Sequence, residues 1–172
     1  HAGLSSAARL QIDEELALAR GFAATTAGAD IPVTLVGTDT HPGNFMMRPD
    51  GVAVFVDLEK MLYGAPAIDL AHATVYTSTM WDADVASALT DGDVAAFYAA
   101  YFGALPEELA KRIRPWCAPL RRFTWLRTTT WCAKWRVDSR DGAAWSAARH
   151  DPDYIDSVRA RVADYFDAAT IE

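Results

Sequence analysis

Two acidic residues and an asparagine in the first third of the chain have types and spacing suited to phosphate chemistry. In VGTDTHPGNFMM, Asp39 precedes Asn44 by five residues, and Asp57 follows thirteen residues later. Carboxylate and amide oxygens suit Mg²⁺, which takes few protein ligands and completes its shell with water and phosphate oxygens. A second carboxylate nearby can accept a hydroxyl proton or orient that hydroxyl for in-line attack. The pattern predicts that Asn44 and Asp57 share one metal ion and that Asp39 faces the same cavity.

The elements around these residues predict a β-hairpin that would bring them together. The apolar run at 31–37 predicts a short buried strand, and residues 44–59 predict a strand, a turn at Asp50-Gly51 and a second strand. A hairpin returns its second strand beside its first, so Asp57 would lie next to Asn44. The alternative is an ordinary turn, because Asp and Asn favour loops for local hydrogen-bonding reasons.

The rest of the chain predicts helices. Apolar periodicity, first-turn prolines and acidic caps indicate about six of them, at 5–24, 66–81, 91–103, 105–114, 115–137 and 151–169. We expect Asp91 or Asp93 to cap the third, Pro119 to interrupt the fifth and Asp151 to cap the last. The expected fold class is α+β, predominantly α-helical, with the hairpin embedded among helices.

Composition excludes several classes of protein. The chain has 172 residues, 51% of them hydrophobic, and a net charge of -7, which argues against nucleic acid as a partner. No run of about 18 apolar residues predicts a membrane span, and no signal peptide is visible. Cys117 and Cys132 would lie roughly 22 Å apart on a continuous helix, too far for a disulfide. We expect reduced core thiols in a cytoplasmic protein.

Residues 33–71 resemble the catalytic segment of the aminoglycoside phosphotransferase and choline kinase-like family. That family's loop typically reads H-G-D-L-H-P-G-N, its second strand ends I-D-W-E, and a G-x-P-x-x-D-L-A element follows; this chain has GTDTHPGN, VFVDLE and GAPAIDLA. The resemblance implies that Asp39 is the catalytic aspartate, and that Asn44 and Asp57 are the magnesium ligands and bind the nucleotide through the metal. It also implies that Asp69 braces the catalytic loop.

The same resemblance implies a function. The chain is expected to be a small-molecule kinase lobe that transfers the γ-phosphate of ATP to a hydroxyl of a small acceptor, such as a cationic aminoglycoside, with Mg²⁺ as cofactor. Three positions depart from the family pattern. Gly37 stands where the family has His, Thr38 where it has Gly, and Ala65 where it commonly has Asp. In the family that His mainly supports the loop, so its replacement by Gly37 suggests an altered rigidity of the loop more than lost chemistry.

The nucleotide-covering part of such a kinase is not evident in the sequence. An N-terminal lobe would carry a phosphate-covering loop and a strand lysine, but the chain begins at His1 and its three lysines lie outside any such strand. We therefore expect residues 1–172 to be a single C-terminal lobe of a protein-kinase-like fold, weakly active or inactive alone. Its partners would be ATP, the acceptor, and either the missing lobe or a second copy. One alternative is a catalytically silent binding module. A second, a metal-dependent hydrolase that uses the same acidic residues, would need more metal ligands than the sequence offers.

Several side chains near the motif have two interpretations. His41 is predicted to pack the loop instead of acting as an acid or base, and His72 to be structural. Glu59 either touches the acceptor or braces the loop. Within 115–137, Trp116 and Trp131 fall on one helical face with Leu120 and Phe123 and are predicted to be core residues. The alternative is that the tryptophans of this segment form a cation-binding aromatic wall.

Overall fold

The computed structural model describes residues 3–139, 152–167 and 170. The chain divides into two compact units. The first contains His1–Thr25 and Leu126–Glu172, and the second contains Thr26–Trp125. All three candidate site residues lie in the second unit.

Six α-helices and four short strands are present among the described residues. The helices are α1 Ser6–Thr25, α2 Ala67–His72, α3 Tyr76–Thr79, α4 Asp91–Gly103, α5 Glu107–Asp138 and α6 Pro152–Asp164. The strands are β1 Thr34–Val36, β2 Phe45–Met47, β3 Ala53–Phe55 and β4 Leu62–Gly64. The predicted predominance of helix is confirmed.

The predicted hairpin is present. Strands β2 and β3 pair antiparallel with Phe45 opposite Phe55. The turn between them places Gly51 at φ +82°, a left-handed conformation that glycine adopts without steric cost. A second antiparallel pair joins β1 to β4, with Val36 opposite Leu62. The sequence pattern does not predict β4.

The single helix predicted for 66–81 is wrong, since α2 and α3 are separate helices. The chain is extended at Val75, with ψ 139°. Arg121 explains the break: its guanidinium donates to the Thr74 carbonyl oxygen at 2.9 Å and also to the Thr74 hydroxyl. That carbonyl, which would accept an intrahelical bond from Ser78 in a continuous helix, is occupied by α5.

The start of α4 is capped by a different residue from those predicted. Thr90 is the N-cap, and its hydroxyl accepts a hydrogen bond from the Asp93 N–H at 3.2 Å. The Asp93 carboxylate in turn accepts one from the Thr90 N–H at 2.9 Å. This reciprocal capping box requires Asp93 three residues inside the helix, not at its cap.

The predicted interruption of the long helix is also wrong. Helix α5 runs continuously through Pro115 and Pro119. An interior proline costs about 3 kcal/mol through its missing hydrogen bond. Buried apolar side chains on both sides, such as Ile113 and Leu126, each stabilise the helix by about 1.5–3 kcal/mol, which offsets that loss. The predicted N-cap of α6, Asp151, lies outside the described residues.

The core of the second unit is built from α2, α4 and α5. Its buried members are Ala67, Leu70, Phe102, Ala110 and Ile113, with Trp116, Leu120 and others packed against them. The core role predicted for Trp116 is confirmed. The core role predicted for Trp131 is wrong, since its side chain is 40% exposed, whereas Trp135 is buried.

Both cysteines lie on α5 as free thiols. Within the described part of the chain, no helix is both long enough and apolar enough to cross a membrane.

Candidate active site

The loop after β1 is held by the carboxylate of Asp69 at the start of α2. The backbone N–H groups of Gly37 and Thr38 donate to Asp69 Oδ2 and Oδ1 at 2.7 and 2.8 Å. The Thr40 hydroxyl donates to the Asp69 carbonyl oxygen at 2.9 Å. Asp39 lies between these anchored positions, so its backbone is fixed from both sides. These are the contacts of a residue that braces the loop, as the resemblance implied for Asp69.

The two departures at the start of the loop have a structural explanation. A Cβ at Gly37 would lie 2.4 Å from Cε1 of Phe55, so the Phe55 ring occupies the space that a larger residue at 37 would need. That ring stacks on Phe45 across the hairpin, with centroids 5.1 Å apart. Thr38 adopts φ +60°, where glycine would be unstrained. Its hydroxyl donates to the Lys60 carbonyl oxygen at 3.0 Å, which helps to hold this conformation.

Asn44 joins the Asp39 loop to the hairpin. It ends a short 3₁₀ turn, Pro42–Asn44, and its side chain is buried. Its Nδ2 donates to the Asp39 carbonyl oxygen at 2.8 Å, and its own carbonyl accepts from the Val56 N–H at 2.9 Å. Because a carbonyl can only accept, the first bond fixes the amide orientation and leaves Oδ1 as the atom able to bind a cation.

Asp57 follows Val56 and is exposed. The described residues include no hydrogen-bond or ion-pair partner for its carboxylate. Its backbone is left-handed, with φ 58° and ψ 62°, and Asp57 and Thr38 are the non-glycine residues with positive φ in the described part of the chain. Such strained backbones concentrate at functional sites. Free oxygens on Asp57 and Asn44 fit the donor chemistry that Mg²⁺ prefers.

The Lys60 ammonium and the His72 ring lie beside the Asp39 carboxylate, and neither residue is among the site residues expected from the sequence. The Lys60 ammonium lies 2.5 Å from Oδ2. His72 Nε2 lies 3.8 Å from Oδ1, while its Nδ1 is hydrogen-bonded to the Ser78 hydroxyl at 3.0 Å. His72 is buried and therefore has the predicted structural character as well as this contact. The only signal for Lys60 was its position three residues after Asp57.

The remaining candidates have simpler surroundings. His41 Nδ1 accepts a hydrogen bond from the Gly43 N–H at 3.2 Å, which is the predicted loop-packing role. Glu59 is exposed and has no hydrogen bond or ion pair with any described residue. Residues 3–139 and 152–167 contain no group of three His, Cys, Asp or Glu side chains able to hold a metal ion together.

The segment from 33 to 63 exposes many large apolar side chains. Tyr63, Met47 and Val33 are 80%, 67% and 65% exposed. Others in the segment are Leu35, Phe45, Met46, Val52, Val54, Leu58 and Leu62. Exposed apolar side chains at this density are typical of a surface that a partner or another domain covers.

Comparisons with known proteins agree with this geometry. The model of a family described as the phosphotransferase enzyme family (APH) matches residues 3–116. Ethanolamine kinase from Plasmodium vivax is similar in structure, with a TM-score of 0.56 and 16% identity over 92% of this chain. This chain spans 40% of that kinase. No curated protein matches the sequence. The fold is therefore the α+β, mostly helical fold of a kinase C-terminal lobe.

Proposed function

Because the chain belongs to the phosphotransferase enzyme family, we propose that it provides the catalytic and acceptor-binding part of a small-molecule kinase. The reaction transfers the γ-phosphate of ATP to a hydroxyl group of a small acceptor. The observation that carries this proposal is the hydrogen-bonded path through Asn44, whose side chain binds the Asp39 backbone and whose carbonyl binds the residue before Asp57. It supports one site formed by Asp39, Asn44 and Asp57.

The roles of the three side chains follow from their chemistry. Asp39 accepts the proton of the acceptor hydroxyl or orients that hydroxyl toward the phosphorus atom. Asn44 Oδ1 and Asp57 would hold Mg²⁺. The ion supplies charge neutralisation for the β- and γ-phosphate oxygens when bound. Asp69 acts on Asp39 by restraining the loop, because well-positioned reactants lower the barrier through orientation.

For the acceptor we propose a small hydroxylated amine. The chain's net charge of -7 and the free carboxylate of Glu59 favour a cationic partner over an anionic one. The structural neighbour is named as a kinase of ethanolamine, which is such a molecule. Aminoglycosides and choline fall in the same chemical class.

An ATP-covering lobe is also part of the proposal. The exposed apolar side chains at 33–63 support a surface that a nucleotide-covering lobe, or a second copy of the chain, buries. Residues 1–172 alone should then bind ATP weakly and turn over slowly. Calorimetry with MgATP, on these residues and on the longest reading frame that contains them, would test this. Tight ATP binding by a monomer of the 172 residues would contradict it.

A screen of acceptors with ATP tests the reaction itself. Ethanolamine, choline and kanamycin would be incubated with the longest reading frame, and phosphorylated acceptor would be detected by mass spectrometry. Asp39→Asn is the control, and it should lower turnover by about 10²-fold or more with little change in ATP affinity. An acceptor that binds but is never phosphorylated would instead identify a catalytically silent binding module.

A further inference from the structure

Lys60 makes two contacts with the loop that carries Asp39. Its ammonium Nζ lies 2.5 Å from Asp39 Oδ2, and its backbone carbonyl accepts a hydrogen bond from the Thr38 hydroxyl at 3.0 Å. The base of the side chain is thus tied to the loop, and only the flexible stem is left to adjust. The proposed function assigns no role to this cation.

We propose that Lys60 is a further catalytic residue, whose ammonium contacts the transferring phosphoryl group while it stays beside Asp39. This inference rests on the proposed function. An ammonium has three N–H donors, and the described residues occupy one of those of Lys60, through Asp39. In an in-line transfer the acceptor oxygen lies within hydrogen-bond distance of Asp39 and about 3–3.5 Å from the phosphorus atom. A cation on Asp39 is therefore a near neighbour of the phosphoryl oxygens.

The charges around the site support a role for this cation in the transfer step. Asp57 and Glu59 place two exposed carboxylates beside Lys60 in the sequence, and a carboxylate that no cation neutralises would repel the phosphates of ATP. Lys60 is the only lysine between residues 33 and 71 of the sequence. The other two, Lys111 and Lys134, form ion pairs on α5.

The contact with Asp39 is weak enough to be shared. The Lys60 side chain is 51% exposed and that of Asp39 18%, and ion pairs with such access to water contribute little stability. His72, by contrast, is buried and held through its other ring nitrogen by Ser78. It lies beside the second carboxylate oxygen of Asp39, so the carboxylate keeps this neighbour while the Lys60 ammonium is shared with phosphate.

The step balances without any further reactant. The acceptor oxygen forms a bond to the γ-phosphorus as the bond from that phosphorus to the β,γ-bridging oxygen breaks. ADP leaves with the electron pair of the broken bond, and the hydroxyl proton passes to Asp39. The Lys60 ammonium exchanges no proton. It donates hydrogen bonds to the phosphoryl oxygens, where negative charge must be stabilised during transfer.

The experiment compares Lys60→Met, Lys60→Arg and, as a matched control, Lys111→Met, all in the longest reading frame. For an acceptor found in the screen, Lys60→Met should lower kcat by about 10²–10³-fold and change the acceptor KM less than about twofold. The kcat of Lys60→Arg should be at least tenfold higher than that of Lys60→Met, and the kcat of Lys111→Met should equal that of the wild type. A second readout is binding. ADP with aluminium fluoride, which mimics the transferring group, should bind Lys60→Met at least tenfold more weakly, while ADP alone binds equally.

Three results would overturn the proposal. An unchanged kcat in Lys60→Met means that the ammonium does not reach the phosphoryl group, and a raised kcat means that it obstructs Asp39. If Lys60→Met loses affinity for ADP and for ADP–aluminium fluoride equally, and also unfolds at a lower temperature, the role of Lys60 is only structural. In these cases an active wild type leaves the proposed function standing. A wild type that neither transfers phosphate nor binds ADP refutes the proposed function, and the inference with it.

Discussion

Asp69→Asn should destabilise the second unit by about 2 kcal/mol. The carboxylate accepts two backbone hydrogen bonds, from Gly37 at 2.7 Å and Thr38 at 2.8 Å. An amide offers one oxygen, so one N–H would face the new NH₂ group, donor against donor. A hydrogen bond to a charged acceptor contributes about 1.5–3 kcal/mol, and the lower half of that range applies because the site is half-buried. The left-handed backbone at Thr38, which these bonds hold, would also be freed to relax.

Urea unfolding followed by tryptophan fluorescence and circular dichroism would measure this loss. With a slope near 2 kcal/mol per M, the midpoint should fall by about 1 M. Asp84→Asn is the matched control, since this exposed carboxylate has no partner among the described residues and its change should stay within about 0.5 kcal/mol. Equal midpoints for the two variants would refute the view that Asp69 holds the catalytic loop.

Three further outcomes are expected. Asp57→Ala should abolish magnesium-dependent ATP binding and leave the fold intact, because the side chain is exposed. If calorimetry shows that ATP binding by the variant depends on magnesium as it does in the wild type, Asp57 is not a magnesium ligand. Gly37→Ala should lower the free energy of unfolding by about 1–3 kcal/mol, because its Cβ would lie 2.4 Å from the Phe55 ring. In a Phe55→Ala background, urea unfolding should show that most of this loss is gone. An equal loss in both backgrounds would contradict the clash. Burial raises the pKa of the Cys132 thiol from 9.0 to about 12, so its protonated form contributes stability that is complete below pH 9 and lost as pH rises through 12. Iodoacetamide at pH 8.5 should therefore label the native protein at Cys117 first, and equal rates by mass spectrometry would argue against the burial of Cys132.

The hairpin, and the motif of Asp39, Asn44 and Asp57, could be predicted from the sequence because both depend on residues that are near one another along the chain. The Asp50-Gly51 pair indicated the turn, and glycine tolerates the left-handed conformation found there. A hairpin turn also sets the register, so the return of the chain from Asn44 to Asp57 followed from the spacing alone. The catalytic and metal-binding roles of Asp39, Asn44 and Asp57 stay predictions.

The errors fell where distant residues decide the local structure. The break between α2 and α3 depends on Arg121, which is 47 positions from Thr74. The continuity of α5 through two prolines depends on apolar side chains that are buried on both sides of the prolines. A local stretch of sequence does not show which side chains the fold will bury. The cap of α4 is a different case, because Thr90 and Asp93 form a capping-box pattern that the sequence itself displays. The prediction of Asp91 or Asp93 as the cap is wrong, since Thr90 holds that position.

The amino-acid sequence by itself determined which residues are the candidates for the chemistry, because an Asp, an Asn and an Asp at these separations can be read directly along the chain. Only the tertiary structure decided what surrounds them. It placed the Lys60 ammonium and His72 on the two carboxylate oxygens of Asp39, and it placed the Phe55 ring against Gly37. The physical reason is that charge pairing and steric fit act over a few ångströms in space, and folding brings together positions whose separation in sequence carries no information about those distances.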